Sequence, residues 1–264
     1  MLQRVLSALV LLPVVLGTIW FLPPVATLVL ALVALVLAFF EYVTLAEQLG
    51  ARVYWLVSLA ATVAAAIAMV SPGAPLDVVL ISALIVVGGL TVGAGVPDAA
   101  RLRDATSSLF PVIYLGVPIG ALVAVRASVS REAALLLIAA LVLSDTAQYY
   151  AGRAFGRRPL APTISPKKTI EGAFGGLVVG TAATVGFGLY WLPGVPPAAL
   201  AMLGAALVEL GIVGDLFESL LKRSAGVKDS SSLIPGHGGL LDRLDSWLFA
   251  APVYYVFLRY AVLK

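Results

Sequence analysis

Apolar runs long enough to cross a bilayer recur along the whole of this chain, and that recurrence limits it to one kind of fold. A transmembrane helix needs about 17–25 predominantly apolar residues. Nine such runs are visible, at 5–22, 25–46, 54–70, 78–96, 108–125, 133–151, 172–192, 198–217 and 246–262. Helix breakers mark the joints: Pro23-Pro24, Ser71-Pro72-Gly73, Pro97, and Gly194 to Pro197. Charged residues make up 12% of the 264 positions, against about 25% in a soluble globular domain. No polar half could fold separately in water. The expectation is an all-α, polytopic integral membrane protein, one domain over 1–264 with about nine transmembrane helices. Within it, N-terminal helices (1–130) are expected to precede catalytic helices and cytoplasmic loops (131–264). The first run is longer than the apolar core of a signal peptide, about 7–15 residues, so a retained helix is expected.

The basic residues orient these runs. If nine spans are crossed, one side receives Arg4, Arg52, Arg101, Arg103, Arg153, Arg157, Arg158, Lys167, Lys168, Lys222, Arg223, Lys228 and Arg243. The other receives only Arg126, Arg131, Arg259 and Lys264. Basic loops stay cytoplasmic, so the N-terminus is expected inside and the C-terminus outside. The two long polar loops, 152–171 and 218–245, then share the cytoplasmic face and can build one site. Cysteine is absent, which excludes disulfides, zinc–thiolate sites and a cysteine nucleophile.

Chemistry concentrates in these loops. At about 100° per residue, Asp215, Ser219 and Lys222 share one helix face where the eighth run leaves the membrane. A carboxylate in hydrocarbon is costly, so Asp215 is expected to face a polar cavity. Asp145, with Tyr149 on its face, invites the same reading. Downstream, Gly236, Gly238 and Gly239 flank His237 and would let the backbone approach an anion closely. Asp242 and Asp245 follow at i and i+3. Carboxylates beside lysines and arginines suit a hard cation together with a polyphosphate. In the other loop, Ser165-Pro166-Lys167-Lys168 leads to Thr169, a candidate N-cap for a helix starting near Ile170, whose N-terminus would face anions.

The pattern Ser219-x-Leu221-Lys222-Arg223, then Lys228-Asp229-x-Ser231, then Ile234-Pro235-x-His237-Gly238-Gly239-Leu240-x-Asp242-Arg243-Leu244-Asp245 resembles the C-terminal motif of the phosphatidate cytidylyltransferases. Ser144-Asp145 and Ser165 to Gly172 resemble further segments of that family. The resemblance implies transfer of CMP from CTP to phosphatidate with Mg²⁺, a second cation being left open, from a polar cavity facing the cytoplasm. By the same resemblance Asp215, Lys222 and Asp242 are catalytic, and Asp215, Asp242 and Asp245 are metal ligands. Asp145, Ser165, Lys167, Lys168, Ser219, Arg223, Lys228, His237, Gly238, Gly239 and Arg243 would contact substrate. The implied partners are CTP, phosphatidate, the lipid bilayer of the inner or cell membrane, and a second copy of the chain; no nucleic acid is expected.

Other features read more plainly. Gly172, Gly176 and Gly180 recur every four residues, which suits close helix packing and could serve a dimer. Glu41, at the end of the second run, reads as interfacial. A related CTP-dependent transferase acting on another lipid is the nearest alternative. A secondary transporter fits poorly, because the strongest polar cluster lies at one face and no internal repeat is evident.

Overall fold

The computed structural model describes residues 2–71, 73–95, 97–234, 236 and 238–262. Among them, helices follow the apolar runs: α1 (Leu2–Phe21), α2 (Pro24–Gln48), α3 (Trp55–Val70), α4 (Leu76–Gly93), α5 (Ala99–Pro111), α6 (Val117–Ser128), α7 (Arg131–Phe155), α8 (Ile170–Trp191), α9 (Pro197–Ser224) and α10 (Leu241–Ala261). A π-helical turn, Val112–Gly116, joins α5 to α6. Pro111 and Pro118 flank or follow this turn and lack the N–H that an α-helical ladder needs. The Val117 amide accordingly reaches back five residues to the Val112 carbonyl.

Among the described residues, six helical stretches are long and apolar enough to cross a membrane: α2, α4, the joined α5–α6, α7, α8 and α9. The apolar part of α1 (Leu12–Phe21) and α3 are shorter. The run at 246–262 falls in α10, which is not among the six. Asp242, Arg243, Asp245 and Arg259 lower its apolar character. Two further boundaries differ from the sequence reading. Asp98 accepts a hydrogen bond from the Ala100 amide and starts α5 well before residue 108. The 152–171 loop holds a small antiparallel hairpin, β1 (Pro159–Ala161) and β2 (Ser165–Thr169), with Ala161 opposite Ser165. Pro166 keeps Ser165 extended, which suits a strand.

Two apolar clusters hold the helices together. One gathers Leu136, Leu137 and Leu141 of α7, Leu200 and Leu207 of α9, and Tyr254 and Leu258 of α10. The other packs Leu35, Phe39, Tyr42 and Leu45 of α2 against Tyr114, Leu115 and Ile119, and against Leu241 and Leu248 of α10. Few side chains of α4 are buried, while Ile81, Leu84, Ile85 and Val92 stand exposed. So wide an apolar surface suits contact with lipid.

The tightest packing is between α7 and α8, and small residues make it possible. In lipid, helices associate through close van der Waals fit because apolar transfer gives no net drive. Gly172, Gly176 and Gly180 are all buried. A Cβ on Gly172 would lie 2.8 Å from the Gln148 carbonyl oxygen, and one on Gly180 would lie 2.4 Å from a Val208 methyl and 3.0 Å from Ser144 Cβ. The four-residue glycine stripe is therefore used inside the chain, against α7 and α9, and is not free for a dimer. We predict that Gly180→Ala destabilises the detergent-solubilised protein by about 1–3 kcal/mol, the usual cost of overpacking; thermal denaturation beside wild type reads this directly.

Candidate active site

The site forms where four elements meet. Helix α9 continues past its apolar stretch to Ser224, so Asp215, Ser219, Lys222 and Arg223 all ride on one rigid rod. Helix α7 contributes Asp145, Gln148, Tyr149 and Arg153. Strand β2 supplies Lys167 and Lys168, and Thr169 accepts a hydrogen bond from the Gly172 amide at 3.1 Å, capping α8 as its position predicts. The first turn of α10 carries Asp242 and Arg243, Asp245 follows directly after it, and the loop before the helix carries Lys228 and Asp229. Together they line one cavity of about 760 Å³, within the range of about 300–1,000 Å³ common for small-molecule sites.

Charges inside the cavity are paired in a definite order. Lys168 Nζ binds Asp215 Oδ2, joining the hairpin to α9. Lys222 Nζ lies between Glu218 Oε2, one turn back on α9, and Asp242 Oδ1. Glu218 is fully buried and Lys222 is 9% exposed, so each carboxylate depends on this ammonium for compensation. The second oxygen of Asp242 accepts from the Ser230 amide at 3.0 Å, Ser230 Oγ at 2.8 Å and the Gly239 amide at 2.8 Å. Asp242 lies ahead of the apolar part of α10. Burial alone would raise its carboxyl, but the Lys222 ammonium and the Gly239 and Ser230 amides hold it below the usual carboxylate range. A different trio of carboxylates, Asp145, Asp215 and Asp245, lines the same cavity. Gln148 Nε2 donates to Asp145 Oδ1 at 3.0 Å.

Two readings from the sequence change here. Glu41 is not interfacial: it is 6% exposed and accepts from Ser230 Oγ (3.0 Å), Ser231 Oγ (2.6 Å), the Leu240 amide (2.9 Å) and the Leu241 amide (2.7 Å). The glycines of the motif admit an anion, but it is the protein's own. A Cβ on Gly238, whose φ is +81°, would sit 2.7 Å from Asp242 Oδ2; one on Gly239 would sit 2.5 Å from Glu41 Oε2 and 2.0 Å from Ser230 Oγ.

Of the residues singled out from the sequence, Asp145, Lys167, Lys168, Asp215, Ser219, Lys222, Arg223, Lys228, Asp242, Arg243 and Asp245 line the cavity. Ser165, Gly238 and Gly239 do not; Ser165 sits at the far end of the hairpin, and the glycines back the loop. His237 lies outside the described residues. The sequence reading missed Glu41, Glu218, Ser230 and Gln148. Glu41 had a usable signal, a carboxylate set in an apolar helix. So had Glu218, four residues before a lysine on one helix.

Apolar helices enclosing carboxylates and basic side chains define an integral membrane protein with a charged site in its C-terminal half. A model of the cytidylyltransferase family matches residues 2–261, and the chain belongs to that family. A Pseudomonas aeruginosa protein named phosphatidate cytidylyltransferase is 47% identical over 127 residues, 47% of each chain. One of the same name from Mycobacterium leprae is 42% identical over 168 residues, 62% of this chain and 53% of that one. Another, from Helicobacter pylori strain J99, is 36% identical over 189 residues, 71% of this chain and 67% of that one. The chain thus spans about half the length of the Pseudomonas and Mycobacterium relatives it matches.

The pairing order makes a stability prediction. Lys222→Met should cost about 3–5 kcal/mol, because it leaves buried carboxylates without their cation. Adding Glu218→Gln should recover part of that loss. Thermal denaturation of the single and double variants tests both, and equal melting points for Lys222→Met and wild type would contradict the assignment.

Proposed function

We propose that this chain transfers CMP from CTP to phosphatidate, giving CDP-diacylglycerol and pyrophosphate. The observation that carries this reading is the meeting, in one cavity, of basic residues from α7, β2, α9 and α10 with the carboxylates of Asp145, Asp215 and Asp245. Phosphatidate carries an anionic phosphate at neutral pH, and one of its oxygens is the nucleophile. It bonds to the α-phosphorus of CTP while the bond from that phosphorus to the bridging oxygen breaks, and pyrophosphate leaves with the electron pair. No side chain needs to remove a proton. The work of the protein is to hold two anions together and in line, a task of positioning and charge compensation. Lys167, Lys168, Arg153, Arg223, Lys228 and Arg243 supply the positive charge around the cavity.

A Mg²⁺ ion fits this donor set, since a hard cation takes oxygen ligands. Asp215 and Asp245 would hold it, with Asp145 nearby; Asp242 is the weaker choice because Lys222, Ser230 and Gly239 already engage both of its oxygens. Among the described residues, no three histidine, cysteine or acidic side chains stand together as a ready metal cage, so nucleotide phosphate oxygens and water would complete the shell. When bound, the ion would offset phosphate charge at the reacting centre.

Nine crossings, with α1, α3 and α10 added to the six apolar stretches, place the N-terminus and the cavity on the cytoplasmic side and the C-terminus outside. The unequal distribution of basic residues supports this arrangement. The resemblance also implies a homodimer, whose interface would use a surface other than the Gly172–Gly180 face.

Purified protein given CTP, Mg²⁺ and phosphatidate is expected to form CDP-diacylglycerol; a folded preparation that forms none sinks the proposal. Asp215→Asn should lower kcat by about 100-fold or more, the scale of losing a key electrostatic group, while the protein still purifies folded. For topology, a cysteine replacing Ser232 in closed vesicles should react with an impermeant thiol reagent only from the cytoplasmic side.

A further inference from the structure

Helix α10 begins without a cap of its own. Leu240 occupies its N-cap position and offers no side-chain hydrogen bond. The first amides of a helix have no partner within it and carry partial positive charge. Glu41 supplies what is missing from α2, about 200 residues away in sequence, by accepting from the Leu240 and Leu241 amides with one oxygen each. The same carboxylate engages Ser230 and Ser231. It therefore fixes both the loop that precedes α10 and the helix start itself.

Its reach extends to the cavity. Ser230 Oγ lies 3.0 Å from Glu41 Oε2 and 2.8 Å from Asp242 Oδ2. One hydroxyl proton faces two carboxylates, so the position of either acid is felt by the other. The loop between them is closed by the Ile234 amide donating to the Gly238 carbonyl at 2.8 Å. Gly239 has no room for a side chain against Glu41 and Ser230. Asp242 and Arg243 sit in the turn that Glu41 caps, and Asp245 follows directly after it.

We infer that Glu41 is a positioning residue for the reaction: it holds the first turn of α10 so that Asp242, Arg243 and Asp245 face the cavity in their working geometry. The N-terminal helices are then part of the catalytic apparatus. The activity readout rests on the transferase reading; the structural readout does not. Glu41→Gln keeps the size but presents an NH₂ group to a ring of donors. Glu41→Asp keeps charge and both acceptors at shorter reach. Ser58→Ala serves as a control, removing a buried hydrogen bond (Ser58 Oγ to the Ser108 carbonyl, 2.6 Å) between α3 and α5, away from the cavity.

The experiment measures kcat, melting temperature, and hydrogen exchange over 228–241 by mass spectrometry for each variant. Glu41→Gln should lose about 10–100-fold in kcat, the usual effect of removing a group that orients site residues. Its amides near Leu240 and Leu241 should exchange faster. Glu41→Asp should recover part of both, and Ser58→Ala should lower the melting temperature while keeping wild-type kcat. If Glu41→Gln does not fold, Ser231→Ala, which removes a single donor, should shift kcat and exchange in the same direction. Wild-type kcat in Glu41→Gln, or in Ser231→Ala where that variant decides, overturns the inference. So does a kcat loss that Ser58→Ala reproduces at the same melting temperature. If wild type makes no CDP-lipid while Glu41→Gln still loosens 228–241, the transferase reading fails and the clamp stands.

Discussion

One ammonium group, Lys222 Nζ, sits between the buried carboxylates of Glu218 and Asp242, and the charged part of the molecule is arranged around it. Asp242 passes the connection through Ser230 to Glu41. The resulting chain of polar groups runs from α9 to α10, through the intervening loop, and across to α2. Every link is buried, where an unmatched charge costs several kcal/mol and where each bond is stronger than in water. The apolar clusters decide that these helices pack. This polar chain decides in which rotation and register the site-bearing ends come together.

The arrangement divides the acidic residues by task. Asp242 and Glu218 are matched by Lys222, and Glu41 by amides and hydroxyls. Asp145, Asp215 and Asp245 line the cavity, with Lys168 as the ion-pair partner of Asp215. Basic residues at the rim, such as Lys167, Arg153 and Arg223, are more exposed. Asp242 also lines the cavity, so it joins the buried acids Glu218 and Glu41 to the acids of the site.

Much of this was legible in the sequence, for identifiable reasons. The apolar runs located the helical rods, since length and hydropathy are local properties. The face shared by Asp215, Ser219 and Lys222 followed from helical periodicity, and Thr169 as a cap from its position before Ile170. What escaped were contacts between distant segments. Nothing local to Glu41 says that its partners lie near residue 240. The glycines around His237 announced close approach to an anion without saying whose, and the structure answers with Asp242 and Glu41. The stripe Gly172, Gly176 and Gly180 announced a packed face, but only the fold shows that α7 and α9 fill it.

The proposed reaction is defined by which bond of the nucleotide is broken. The most direct measurement follows label from CTP into products formed by the purified protein with phosphatidate and Mg²⁺. Label placed on the α-phosphate should appear in the lipid, and label on the γ-phosphate should appear in pyrophosphate, in equal molar amounts. Appearance of γ-label in lipid, or of α-label in neither lipid nor any lipid-dependent product, would contradict the assignment.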